Sequence, residues 1–184
     1  MTENFIFYAA IGLTVALTLR YLNKSAGKTI SSDDNGQFKI RMHKLYNIVG
    51  IISLILCLVV TIGPILTGES DIALYLMTFF MFLLFGGLGL LSFLYYRNHY
   101  VLFDTDKIEV KGPFGKTKTT YWNRLVKASF NATSGLITLT DSEGQKLKIH
   151  QHLVGLSKLV GMLENKTGWT SKDLKLPVKG SNVV

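Results

Sequence analysis

The sequence contains few charged residues and only one cysteine. Charged residues make up 17% of its 184 residues, whereas a typical soluble domain has roughly 25%. The cysteine, Cys57, lies within an apolar run. An internal disulfide is therefore excluded, and a thiol in such surroundings is expected to be buried and unreactive.

The sequence also lacks the short motifs that accompany common catalytic chemistry. It contains no G-x-S-x-G, no P-loop and no H-E-x-x-H. Its long apolar runs contain no Asp, Glu, Lys or His, although ionisable groups within a membrane usually mark ion or proton pathways. We therefore expect a non-enzymatic protein that uses no cofactor, and the sequence does not favour transport.

Three long apolar runs are present instead. They cover residues 5–22, 45–66 and 72–96, and each is long enough to cross a hydrocarbon core, which takes about 17 to 25 helical residues. The first run is not a typical signal peptide, because Arg20 and Lys24 follow its apolar core rather than precede it. The sequence therefore predicts a membrane anchor of three transmembrane helices over residues 1–97.

The distribution of Lys and Arg predicts how this anchor is oriented. The loop at 23–44 and the segment after the third run are basic, whereas the amino terminus and the turn at 67–71 contain no Lys or Arg. Loops rich in these residues stay in the cytoplasm. We therefore expect a multi-pass protein of the inner or plasma membrane, with its amino terminus outside and its carboxy-terminal domain in the cytoplasm.

Small residues within the apolar runs are candidates for close helix packing. Gly12 and Ala16 form a small-xxx-small pair in the first run, and Gly86, Gly87 and Gly89 thin the third. Packing within one chain and packing between copies in a homo-oligomer both stay open.

A short alternating pattern interrupts the basic loop. Phe38, Ile40 and Met42 alternate with Lys39 and Arg41, which is the periodicity of a strand. The same pattern also fits a segment lying against anionic headgroups, or a solvated loop, and these three interpretations stay open.

After residue 97 the apolar runs give way to alternation typical of half-buried strands. Closely spaced strands are predicted at 100–103, 107–111, 116–122, 126–131, 135–140 and 146–150. Leucines then recur every three or four residues over 153–165, which predicts an amphipathic helix covering the sheet. Residues 167–184 are expected to be a partly ordered tail.

Particular residues in this region resemble the bacterial pleckstrin-homology-like (PH-like) domains found on small integral membrane proteins. They are the strand Tyr100-Val101-Leu102-Phe103 with its Asp turn, Tyr121-Trp122 before Asn123-Arg124-Leu125, the turn Asp141-Ser142-Glu143-Gly144 and the Leu-rich closing helix. The resemblance covers residues 98–166. It implies a cytoplasmic β-sandwich or barrel capped by a carboxy-terminal helix, used for binding or assembly rather than catalysis.

The charges of this domain suggest one class of ligand and argue against another. Residues 97–184 hold 14 Lys or Arg and 7 Asp or Glu, so Lys111, Lys116 and Lys118 are candidates for contact with an anionic inner leaflet. A solvated basic face is the alternative. Phosphoinositide-binding relatives use a basic first hairpin turn, whereas Asp104 and Asp106 here would repel a phosphate.

Metal and nucleic-acid binding find little support in the sequence. His150 and His152 would share a strand face, but no third ligand is evident. No nucleic-acid recognition motif accompanies the basic residues. We expect neither partner.

These observations predict a membrane-anchored interaction module or scaffold, with an unidentified protein partner. An accessory subunit of a membrane transporter or envelope enzyme, contacting it through the transmembrane helices, is the alternative. An oligomeric pore or a membrane enzyme is a third, less favoured interpretation.

Overall fold

The chain folds into two compact units in a computed structural model that describes residues 13, 16–68 and 71–181. The β unit contains the described residues up to 41, with 100–110 and those from 118 onward. The hairpin unit contains residues 42–99 and 111–117. The sequence predicts a single boundary between anchor and domain, at residue 97, whereas the folded chain passes between the two units four times.

Helix α1 is the first described element and covers residues 16–26. It continues beyond the predicted end at Leu22, because Leu22, Ser25 and Ala26 are buried within the β unit. The carbonyl of Ser25 accepts a hydrogen bond from the backbone N–H of Gly155, at 3.3 Å. Most of the predicted span 5–22 lies outside the described residues.

The alternating segment before the second apolar run is a strand. Strand β1, Phe38–Arg41, pairs antiparallel with strand β2, Tyr100–Phe103, so that Arg41 lies opposite Tyr100 and Phe38 opposite Phe103. Of the three interpretations left open for this segment, the structure shows the strand. Pairing with residues some sixty positions away supplies the backbone partners that the local sequence cannot.

Two apolar helices form a hairpin inserted between β1 and β2. Helix α2 is Leu45–Thr67, and Gly68 ends it in the left-handed conformation. Helix α3 is Ile72–Asn98, and the Asp71 carboxylate caps it by accepting from the N–H of Ala73. Both helices are long and apolar enough to cross a membrane.

The outward faces of these helices distinguish them from core helices. Only 11% of the most apolar part of α2 and 6% of that of α3 are buried within the chain. Helix α3 contains a π-helical segment, Phe82–Gly86, which loosens its regular hydrogen bonding. The second and third predicted runs are therefore helices whose apolar side chains face outward.

The β unit contains two sheets. The first has the order β1-β2-β3-β4 and the second has the order β5-β6-β7. The strands after β2 are β3 Lys107–Lys111, β4 Thr117–Tyr121, β5 Leu125–Asn131, β6 Leu136–Asp141 and β7 Lys146–His150. Alternate residues are buried, among them Val101, Phe103, Leu147 and Ile149, which is the pattern of sheets with one core face.

Polar contacts join the two sheets at one end of the β unit. The buried hydroxyl of Thr120 donates to the Asp141 carboxylate at 3.1 Å. The 3-10 turn Trp122–Arg124 lies between β4 and β5. The Trp122 indole N–H donates to the carbonyl of Asp104 at 2.9 Å, and Arg124 accepts from the N–H of Ser142 at 2.8 Å. The turns at 104–106 and 142–144 are therefore at this same end.

Helix α4, Leu156–Thr167, closes the β unit and confirms the predicted capping helix. It begins three residues later than predicted, because Gly155 adopts the left-handed conformation with φ of 82°. A Cβ at Gly155 would overlap the Ile30 side chain. Both the left-handed backbone conformation and the close packing against Ile30 therefore favour glycine at this position.

The residues after α4 pack back along it. The N–H of Ser181 donates to the carbonyl of Ser157 at 3.0 Å, and that of Ser171 donates to the Glu164 carboxylate at 2.7 Å. Gly161 makes this approach feasible, because a Cβ there would overlap the carbonyl oxygen of Ser181. The described part of the tail therefore covers the outer side of the closing helix.

Candidate functional site

The turn between β3 and β4 belongs to the hairpin unit. We call residues 111–117 the Phe114 turn. Gly112 donates to the carbonyl of Lys116 at 2.8 Å, and Gly115 donates to that of Gly112 at 3.0 Å. Gly115 has a φ of 84°, which a residue with a side chain rarely adopts. These bonds give the turn one defined shape.

Two side chains at the end of α3 hold the Phe114 turn in place. The Asn98 amide donates to the carbonyl of Pro113 at 2.6 Å. The His99 ring contacts the carbonyl of Lys111 through Nδ1 at 2.7 Å. Because a carbonyl can only accept, Nδ1 must carry the proton. The turn is thus attached directly to the end of an apolar helix.

The environment of His99 keeps its ring neutral. Burial lowers the pKa of His99, and the hydrogen bond to the Lys111 carbonyl opposes this effect only in part. The Tyr95 ring lies edge-on to the imidazole, with ring centroids 5.5 Å apart. His99 is therefore a structural link between helix and turn.

The Phe114 turn presents an apolar group and positive charge. The side chain of Phe114 is 71% exposed. Lys111 and Lys116 flank it, and the seven residues contain no Asp or Glu. Such a combination is typical of segments at a membrane surface, where an aromatic ring enters the headgroup layer and lysines meet anionic lipid.

The structure separates the three candidate lysines. Lys111 and Lys116 lie on the Phe114 turn. Lys118 lies in the β unit, where its ammonium group donates to the carbonyl of Lys146 at 2.9 Å. Sequence reasoning named these lysines but did not single out Phe114. The signal available was an aromatic residue within Gly-Pro-Phe-Gly, where a turn residue is ordinarily polar.

The helix-packing candidates have different surroundings. A Cβ at Gly89 would lie 2.9 Å from the Cβ of Ser53, and one at Gly50 would lie 3.0 Å from the carbonyl oxygen of Gly89. Gly50 and Gly89 therefore mark the close crossing of α2 and α3. Sequence reasoning missed Gly50, although it stands in an apolar run three residues before Ser53.

The remaining small residues contribute less or lie elsewhere. A Cβ at Gly86 would lie 3.2 Å from the sulfur of Cys57, whereas one at Gly87 would meet nothing within 4 Å. Ala16 is exposed on α1, and its partner in the predicted motif, Gly12, lies outside the described residues.

Cys57 is buried, as expected, at the interface of the two apolar helices. Its thiol donates to the carbonyl of Phe82 at 3.9 Å. Phe82 begins the π-helical segment of α3, where the regular bonding of carbonyl groups changes. The thiol therefore serves packing between the helices.

His150 and His152 lie close together, with ring centroids 5.1 Å apart. Nδ1 of His150 accepts from the N–H of His152 at 3.2 Å, so that nitrogen already has a partner. Burial lowers the pKa of His152. Among the described residues, no group of three or more His, Cys, Asp or Glu side chains is arranged to hold a metal ion.

The acidic turn at 104–106 has a structural use. The Asp104 carboxylate accepts from the N–H groups of Asp106 and Lys107 at 2.8 and 2.9 Å. Partial burial disfavours its charged form, but these donors outweigh burial and lower the pKa of Asp104. The depression beside it is lined by Glu109 and Lys107 as well as Asp104. Two carboxylates against one ammonium group give it net negative charge, which disfavours phosphate.

Comparison with protein-family models, with curated protein sequences and with solved structures gives no match.

Proposed function

We propose that this protein is a non-enzymatic, membrane-anchored interaction module that presents a PH-like domain at the inner leaflet for assembly with a protein partner. One observation carries the proposal. A hairpin of two outward-facing apolar helices is inserted between the paired strands β1 and β2 of a β-rich unit. Both ends of the proposed anchor therefore continue along the chain into paired strands of the β unit.

The pairing of β1 with β2 supports the proposed topology. Paired strands must lie on the same side of a membrane. If α2 and α3 both span, residues 38–41 and the strands from residue 100 onward therefore share one side, and the turn after α2 lies on the other. The positive-inside rule makes the shared side the cytoplasm. A first span across 5–22 then places the amino terminus outside.

Two antiparallel sheets closed by a carboxy-terminal helix support the PH-like assignment. In the proposal, β1 joins the domain from before the helical hairpin, so that the domain is larger than the 98–166 segment that carries the resemblance. Exposed Val126 lies on β5, which among the described strands pairs only with β6. Such an open edge suits protein recognition.

An accessory subunit that contacts a transporter or envelope enzyme through its helices is the second candidate. It is supported by Gly87 on α3, because a Cβ there would meet nothing within 4 Å. Small residues on outer helix faces let a partner helix approach closely.

Photo-crosslinking in intact cells distinguishes the two candidates. A crosslinking residue replaces Val126 in the β unit or Leu58 on α2, which are similarly exposed at 59% and 60%. We expect a discrete protein adduct from position 126 and mainly lipid adducts from position 58. Discrete protein adducts confined to position 58 would instead support the accessory subunit.

Cysteine labelling tests the topology, in a Cys57→Ala background. We expect Ser70→Cys to react with a membrane-impermeant maleimide added outside, and Ser142→Cys to react only after the membrane is permeabilised. Labelling of Ser142→Cys in intact cells would overturn the orientation.

A further inference from the structure

We propose that the Phe114 turn is a separate membrane-contact site, in which Phe114 enters the headgroup layer while Lys111 and Lys116 bind anionic phospholipid headgroups. This inference rests on the proposed membrane anchoring. It adds a lipid-binding element that neither apolar helix contains.

The attachment of the turn to α3 places it at the membrane surface. Asn98 is the last residue of α3, and its amide bonds the carbonyl of Pro113, next to Phe114. Tyr95, Tyr96 and Arg97 immediately precede it, which is the composition of a helix end at the interface. A turn within hydrogen-bonding distance of that end lies in the same layer.

The composition of the turn matches this layer better than it matches water. A phenylalanine at the tip of a solvated turn leaves its apolar surface in water and gains no free energy from burial. Residues at the tips of turns are ordinarily polar. In the headgroup layer the ring is removed from water, and the flanking lysines meet phosphate groups. Residues 111–117 include two lysines and no Asp or Glu, so all the charged residues of the turn are positive.

The rigidity of the turn favours membrane contact further. The Gly112 and Gly115 bonds define its shape, and Asn98 and His99 fix it to α3. No rearrangement is then needed to bring Phe114 into the lipid, so little conformational entropy is lost on contact. Lys118 is excluded from this site, because it bonds β7.

Depth-dependent quenching tests the proposal on the full chain in vesicles of phosphatidylcholine and phosphatidylglycerol. In the Cys57→Ala background, an NBD fluorophore is attached to Phe114→Cys, to Leu58→Cys on α2 or to Ser142→Cys. Ser142 is the control, because its turn lies at the opposite end of β2 from Tyr100. Lipids brominated near the headgroup and lipids brominated near the bilayer centre serve as quenchers.

We expect shallow quenching at position 114, deep quenching at position 58 and none at position 142. Deep quenching at 58 with position 114 no more quenched than 142 would overturn this inference alone. Absence of quenching at position 58 would overturn the membrane anchoring itself. The two failures are therefore distinguishable.

Matched charge reversals test the headgroup contact. We expect Lys116→Glu to reduce shallow quenching at position 114 about twofold or more in vesicles containing phosphatidylglycerol, and to have little effect in pure phosphatidylcholine. Lys118→Glu changes charge equally two residues away and should have the smaller effect. Equal losses from both, or a loss independent of anionic lipid, would overturn the assignment of the lipid contact to the turn.

Discussion

The hairpin unit and the β unit use the same apolar residues in opposite ways. Leu58 and Val59 on α2 are 60% and 63% exposed, whereas Leu147 and Ile149 on β7 have no exposed surface. Burying apolar surface gains about 25 cal/mol per Å², so a long helix with its apolar face outward needs a solvent other than water. The comparison shows that an unbroken apolar run keeps its side chains outward, whereas an alternating segment buries its apolar side chains in a core.

Shortening one leucine in each unit should give the largest difference. Leu147→Ala leaves a cavity in a closed core and should cost about 2 to 5 kcal/mol of the free energy of unfolding. Leu58→Ala shortens an outward-facing side chain and should cost far less. Thermal unfolding in detergent, followed by far-ultraviolet circular dichroism, reports on the helices and the strands of both units and therefore measures both losses. Equal losses would mean that the two environments had been wrongly distinguished.

Filling the crossing of α2 and α3 should have the next largest effect. Gly89→Leu forces a side chain against Ser53, and overpacking of this kind costs about 1 to 3 kcal/mol. Separation of the helices would expose Cys57, so we expect its alkylation by a small maleimide to become about tenfold faster or more.

Gly87→Leu is the matched control for that substitution, because it adds the same side chain where a Cβ meets nothing. It should leave the reactivity of Cys57 almost unchanged. Similar acceleration by both variants would contradict the assigned crossing.

Acid should destabilise the β unit through buried His152. Burial lowers its folded-state pKa below 6.5, so the unfolded chain binds the proton more readily. The contribution of neutral His152 to the free energy of unfolding is therefore fully present above pH 6.5. It is lost as the pH falls from there towards the folded-state pKa, by at most about 1.4 kcal/mol per pH unit.

Unfolding midpoints measured between pH 7.5 and 5 by the fluorescence of Trp122 and Trp169, which both lie in the β unit, report this effect. His152→Gln should have a shallower pH dependence than the parent chain. An unchanged slope would assign the pH dependence to other groups, among them His99, whose pKa is lowered in the same direction.

Adding one methyl group beneath the tail should have the smallest effect on stability. Gly161→Ala places a Cβ where the carbonyl of Ser181 lies, but it also gains up to about 1 kcal/mol of helix propensity. We expect the tail to detach while the β unit stays folded, so that trypsin cleaves after Lys179 sooner. Asn165→Ala, an exposed position of the same helix, should not accelerate cleavage.

Local patterns predicted most elements of the chain and few of their partners. The charge-free runs predicted α2 and α3, and the alternation of Ile108 with charged neighbours predicted β3. The pairing of β1 with β2 was not readable, because two apolar helices separate the strands. The same limit hid Gly50, whose importance depends on which helix lies opposite.

Local patterns likewise predicted one part of the candidate site and missed another. Sequence patterning named Lys111 and Lys116 as basic groups near a membrane, because charge and distance from an apolar run are local properties. It grouped them with Lys118 and passed over Phe114. Only the bonds from Asn98 and His99 associate the turn with α3 and leave Lys118 with β7.

By itself, then, the sequence determined that this chain has outward-facing apolar helices and a strand-rich region closed by an amphipathic helix. Periodicity and charge-free length express these properties within a few neighbouring residues. The tertiary structure alone decided that the strands before and after the helical hairpin pair with each other, and that the Phe114 turn belongs with the apolar helices. Both arrangements depend on hydrogen bonds between residues distant in the chain, which no local pattern records.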